Sequence, residues 1–160
     1  MSNLEYPGTR RAVFFVRNDL PAPSAQRRAE LEQTLQDLVC AGVLDDVETV
    51  VWNKRVRADS AQDTAERNRY SEFADWARRA RVSLAPFFDT RECYSTTTGE
   101  KETQLVLPTM ALAVYEDDEL VRVAPHANAG STESVTDCVE LLSTHADSIP
   151  SFPSYVSMAE

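Results

Sequence analysis

The chain has 160 residues, 42% of them hydrophobic and only 4 of them glycine, with a net charge of −10. That is one domain's worth of chain with room for a core, and the composition excludes a disordered protein. No apolar run approaches the roughly 20 residues of a membrane span, and Met1–Arg11 lacks the apolar stretch of a secretory signal. The expected location is the cytoplasm.

The charge balance narrows the class. There are 26 acidic residues, and the 16 basic ones include only two lysines, Lys54 and Lys101. Acid-rich, lysine-poor surfaces suit molar salt, where a Debye length of about 3 Å screens the mutual repulsion of carboxylates. The composition therefore predicts a halophilic archaeal source, with an ordinary acidic cytosolic protein as the alternative. Cys40, Cys93 and Cys138 are far apart and odd in number, which argues against a disulfide framework and a zinc site. Cys40 and Cys138 fall in helical patterns, where a free cysteine behaves as a small hydrophobe.

Met1–Arg11 reads as a lead-in. Ala12–Arg17 is the first strand, rich in β-branched and aromatic residues. Asn18–Pro23 is a loop shaped by two prolines, and Ser24 is the expected N-cap of the first helix. Leu31, Leu35 and Leu38 mark that helix's apolar face, and Gly42 is its natural stop. Val47–Trp52 is a second strand. Asn53–Gln62 is polar and basic and reads as a loop. Asp63 is placed to cap a second helix with Tyr70, Phe73, Trp76, Ala77 and Ala80 on its core side, ended by Val82–Pro86.

Phe87–Tyr94 and Thr103–Leu107 form strands of an inserted hairpin, turned through Ser95–Glu100. Met110–Tyr115 is uninterrupted apolar and predicts a strand covered on both faces. Glu116–Glu119 turns it back into a strand at Leu120–Val123. Pro125–Gly130 reads as a loop, and Ser131 or Thr132 as the cap of a third helix bearing Val135, Cys138, Val139 and Leu142. Residues 146–160 read as a flexible Ser/Pro tail. The fold class is thus α/β, a single domain over 12–145 with a central mixed β-sheet flanked by helices.

The order strand, helix, strand, helix, hairpin, helix resembles the thioredoxin-like fold, with an inserted hairpin. In that family a cis proline opens the third core strand, and Leu107-Pro108-Thr109 stands in its place. The resemblance implies a cis Leu107–Pro108 bond. It also implies a Cys-x-x-Cys at the start of the first helix, where this chain reads Asn18–Ser24 without cysteine, so thiol–disulfide chemistry lacks its nucleophile. Val51–Val56, Phe73–Ala77, Val82–Phe88, Thr98–Glu100 and Leu107–Pro108 are together similar to a haloarchaeal family of small proteins labelled as helix-turn-helix domain proteins. That likeness runs from Ala12 to Leu142 and carries no functional residue across.

The chemistry-bearing residues are scattered. His126 and His145 form no metal pair and read as solvated. There is no Gly-x-Gly-x-x-Gly and no Walker loop. Asp45–Asp46 and Asp117–Asp118 sit in turns, away from the burial that acid–base work needs. We therefore expect no enzyme, no cofactor and no metal.

The first functional reading is a non-catalytic interaction or regulatory protein with a protein partner. Its candidate surface is Leu20, Pro21, Ala22 and Pro23 with Pro108 and Thr109, apolar and low in side-chain entropy to lose. The second is a DNA-binding transcriptional regulator. Residues 54–81 hold eight positive against five negative charges, and Lys54, Arg55, Arg57, Arg67, Arg78 and Arg81 would form the nucleic-acid surface. A solvated helix face with alternating signs explains the same residues. A thiol-redox protein using a lone cysteine such as Cys93 is a third.

Overall fold

The computed structural model describes residues 9–57, 64–94 and 99–144, with the backbone alone at Arg57, Thr64, Cys93 and Glu102. In chain order the elements are β1 (Arg10–Arg17), α1 (Ala22–Cys40), β2 (Asp46–Trp52), β3 (Arg55–Arg57), α2 (Thr64–Ala80), β4 (Asp89–Tyr94), β5 (Lys101–Val106), β6 (Met110–Glu116), β7 (Glu119–Ala124), β8 (His126–Asn128), β9 (Ser131–Glu133) and α3 (Val135–Thr144). The expected Asp63 cap, the Ser95–Thr98 part of the hairpin turn, His145 and the 146–160 tail lie outside the described residues.

The central sheet has the order β2-β1-β6-β7. β1 and β2 are parallel, and β1–β6 and β6–β7 are antiparallel. The single α/β domain with a mixed sheet and three helices is the predicted class. β1 and β6 occupy the middle, and their apolar runs are covered on both faces. Strand alternation splits them. Ala12, Phe14, Val16, Leu112 and Val114 join Leu31, Leu35 and Leu38 of α1 and Val135, Cys138, Val139 and Leu142 of α3. Val13, Phe15, Ala111, Ala113 and Tyr115 join Phe73, Trp76, Ala77 and Ala80 of α2. The layers are therefore α1 with α3, the sheet, and α2.

A smaller antiparallel sheet, β3-β5-β4, packs Val56 and Leu105 into the core on the α2 side. The aromatic rings of this side of the core meet at close range. Phe15 stacks on Trp52 at 4.7 Å, and Phe73 and Phe88 meet edge to face at 5.9 Å. Aromatic pairs of this kind contribute about 0.5–1.5 kcal/mol beyond their buried area.

Turn chemistry sets the joints. Gly42, just past α1, takes the left-handed φ of +83° expected of its stop. Asp117 and Asp118 both have positive φ, as a tight two-residue hairpin requires.

Several expectations are corrected. α1 starts at Ala22, with Pro21 at the cap position and no side-chain cap, so Ser24 lies inside the first turn. A proline in that turn forfeits no helical hydrogen bond. Arg55–Arg57 is a strand, not a loop, because it pairs with Gln104–Val106 and buries Val56. The 125–130 loop is instead the β8–β9 hairpin, turned at Ala129–Gly130. Ser134, not Ser131 or Thr132, caps α3: its Oγ accepts from Asp137 N–H at 3.1 Å, and Asp137 Oδ2 accepts from Ser134 N–H at 3.0 Å. Cys40 is exposed, while Cys138 is buried as its helical position implied.

The cis bonds among the described residues are Ala85–Pro86 and Ala124–Pro125; Leu107–Pro108 is not one of them. The Leu107 N–H donates to the Lys54 carbonyl at 2.8 Å, extending the β3–β5 ladder by one residue. The chain thus runs on extended through Pro108 into β6.

Candidate functional site

The Leu107–Thr109 crossing is held at three points. Beyond the Leu107 bond, the Trp52 indole N–H donates to the Pro108 carbonyl at 3.2 Å, and the Arg17 N–H donates to the Thr109 carbonyl at 2.9 Å. Pro108, with no N–H to satisfy, fits between them. The crossing therefore forms a fixed wall at the ends of β1 and β2.

Opposite that wall lie α1 and the start of α3. Between them is a cleft of about 250 Å³. Leu31, Phe87, Pro108, Met110, Pro125 and Val135 supply its apolar lining. Arg27 spans the rim, donating to Thr136 Oγ1 at 3.3 Å. The volume falls below the roughly 300–1,000 Å³ of small-molecule pockets. It suits one or two apolar side chains better than a cofactor.

The sequence-predicted patch is divided by the structure. Pro108 and Thr109 line the cleft. Leu20 is half-buried against the α1–α3 core, while Pro21, Ala22 and Pro23 are exposed around the first turn of α1. α1 contributes to the cleft from further along, through Arg27 and Leu31. Sequence reasoning assigned Leu31 to the core and missed Phe87, Pro125 and the 134–136 turn. The only available signal was the placement of α1 and α3 on one face of the sheet.

The basic residues have separate environments. Lys54 and Arg55 are exposed at β3. Of Arg57 only the backbone is described. Arg67 is half-buried. Arg69 donates to the Tyr115 hydroxyl at 3.2 Å and lies over the Phe15 ring. Arg78 is ion-paired with Asp75, and Arg81 is exposed just past α2 with a φ of 63°.

Titratable groups are buried elsewhere in the domain as well. Arg122 donates through Nε and Nη2 to the two carboxylate oxygens of Glu133, at 2.8 and 2.7 Å. His126, expected to be solvated, is 2% exposed. Its Nδ1 lies 2.6 Å from the Val123 carbonyl, and its Nε2 lies 3.9 Å from Glu133. Burial lowers its pKa and Arg122 adds to that, against the raising effects of the Val123 carbonyl and Glu133. Burial pushes the Cys138 thiol well above its usual range, which keeps it protonated and a poor nucleophile. Tyr115 donates to Glu72 at 3.0 Å, and burial together with that carboxylate raises its pKa to about 12. These networks join β7 to the β8–β9 hairpin and β6 to α2. Among the described residues no cluster of His, Cys, Asp and Glu is arranged to hold a metal ion.

Residues 4–147 match a family model described as a helix-turn-helix domain. The chain belongs to the helix-turn-helix domain family. No match emerged among curated proteins or among solved structures. The family's name does not describe the element order seen here. A helix-turn-helix joins two helices by a short turn. Among the described residues, strands separate α1 from α2 and α2 from α3. No helix among them is long and apolar enough to cross a membrane.

Proposed function

We propose that this member of the helix-turn-helix domain family is a cytoplasmic regulatory protein that works by binding, not catalysis, and that its cleft beside Pro108 receives an apolar side chain of a protein partner. The lining of that cleft carries the reading. Leu31, Phe87, Met110 and Val135 offer apolar surface, and Pro108 and Pro125 are rigid. A preformed apolar wall loses little entropy on binding. The acid-rich, lysine-poor chain supports operation in molar salt, where apolar contacts persist and charge contacts are screened.

The sheet order and the split of helices between its faces support a thioredoxin-like core. The loop before α1 would then be a surface without the redox cysteines of that fold. A DNA-binding regulator is the second reading, favoured by the family match over 4–147. Against it, Arg69 and Arg78 are engaged within the domain.

The test is capture of partners from native cells at high salt with wild type and with Thr109→Trp, which fills the cleft. The expected result is a partner held by wild type and lost by the variant, with circular dichroism unchanged. Equal capture by both overturns the site. Nanomolar binding of duplex DNA that Lys54→Glu and Arg55→Glu abolish would favour the second reading.

A further inference from the structure

The central sheet ends at β2, which among the described residues is hydrogen-bonded to β1 alone. In a parallel pair alternate residues face the neighbouring strand. The Asn18 N–H donates to the Trp52 carbonyl, which fixes the phase. Asp46, Glu48, Val50 and Trp52 therefore bond towards β1. Val47, Thr49 and Val51 turn their N–H and C=O groups to the open edge.

The side chains of those three residues share one face of the strand. Val47 packs on the α1–α3 core, and Thr49 Oγ1 lies 3.4 Å from Glu32 of α1. Val51 is 54% exposed, one of two large hydrophobics so placed among the described residues. No proline or lysine interrupts β2, although exposed edges are commonly blunted that way. Charge is distributed unevenly along it. Asp45 and Asp46 lie at its start, and Lys54 and Arg55 just past its end, all exposed.

We propose that β2 is a homodimer interface, with a second copy of this chain adding its own β2 antiparallel across a two-fold axis at Thr49. That register places Thr49 opposite its symmetry mate and Val47 opposite Val51 of the partner subunit. Every outward N–H then meets an outward C=O, and the two sheets become one. The same symmetry sets Asp46 opposite the partner subunit's Trp52 and diagonal to the partner subunit's Lys54, within reach of a long side chain, at both ends of the interface. A parallel alignment would set like charges together, so the charge pattern selects the antiparallel one. The contact is isologous and closed, which limits the assembly to two chains. An extended peptide is the competing occupant of such an edge.

Light scattering on the full chain at moderate salt, across a concentration series, tests this. The expected mass is that of two 17.9 kDa chains. Thr49→Pro removes an N–H that faces outward, so the β1–β2 ladder survives while the interface is lost. It is expected to give the mass of one chain with an unchanged circular dichroism spectrum. Lys54→Glu is expected to weaken association about tenfold, and adding Asp46→Lys to restore it. A wild type that stays a single chain at every concentration overturns the proposal. So does a Thr49→Pro variant that remains dimeric, or a charge swap that restores nothing.

Discussion

The two faces of the central sheet are packed by different means. On the α2 face, Phe15, Trp52, Phe73 and Phe88 meet ring to ring beneath one helix and the small sheet. On the other face, two helices lie side by side over aliphatic residues, Cys138 and a single ring, Phe14. Flat rings in stacked and edge-on contact interlock and fix one arrangement. Two helix cylinders meet along a line, and between Arg27 and Leu31 of α1 and the first turn of α3 they leave the cleft beside Pro108. The face with the weaker interlock is the one with an open cleft.

Truncation on each face should break that comparison most visibly. Phe73 is fully buried and meets the rings of Phe15 and Phe88 edge to face, so Phe73→Ala should cost about 3–5 kcal/mol. Leu31→Ala should cost about 2 kcal/mol, the low end for its type, because Leu31 already borders open space. Urea denaturation measures both. Equal losses would mean that the cleft side is packed as tightly as the ring side.

A smaller effect is read from pH. His126 sits where the β8–β9 hairpin joins the sheet, and its folded pKa is lowered. Below the unfolded value of about 6.5 the unfolded chain binds the proton that the folded chain resists. Stability should therefore be level above about pH 6.5 and fall as pH drops towards the folded pKa, by at most ~1.4 kcal/mol per unit from this group. His126→Gln should lose that part of the slope in urea titrations run across this window. An unchanged slope would show that His126 is not held neutral.

How much was readable in the sequence differs along the same division. β1, β6, α1, α2 and α3 carry long apolar runs or helical spacing, so local pattern was enough to find them and most of their buried residues. β3 was hidden because Arg-Val-Arg is a strand only through its pairing with β5, far along the chain. The β8–β9 hairpin and the burial of His126 were hidden for the same reason, since Trp76 of α2 and Glu133 of β9 close on that ring. Pro108 was singled out from its place before β6. The cleft around it was not visible, because Leu31, Phe87, Pro125 and Val135 come together only once α1 and α3 share a face.

The binding claim is tested most directly by methionine-methyl NMR with N-acetyl-leucinamide, a soluble stand-in for an apolar side chain. The chain has three methionines, Met1, Met110 and Met158, and Met110 lines the cleft. At roughly −0.3 kcal/mol per non-hydrogen atom the probe should bind with a Kd of about 2 mM. The expected result is a saturable shift of the Met110 methyl that is absent in Thr109→Trp. A Met110 signal that stays fixed up to the solubility limit of the probe would contradict it.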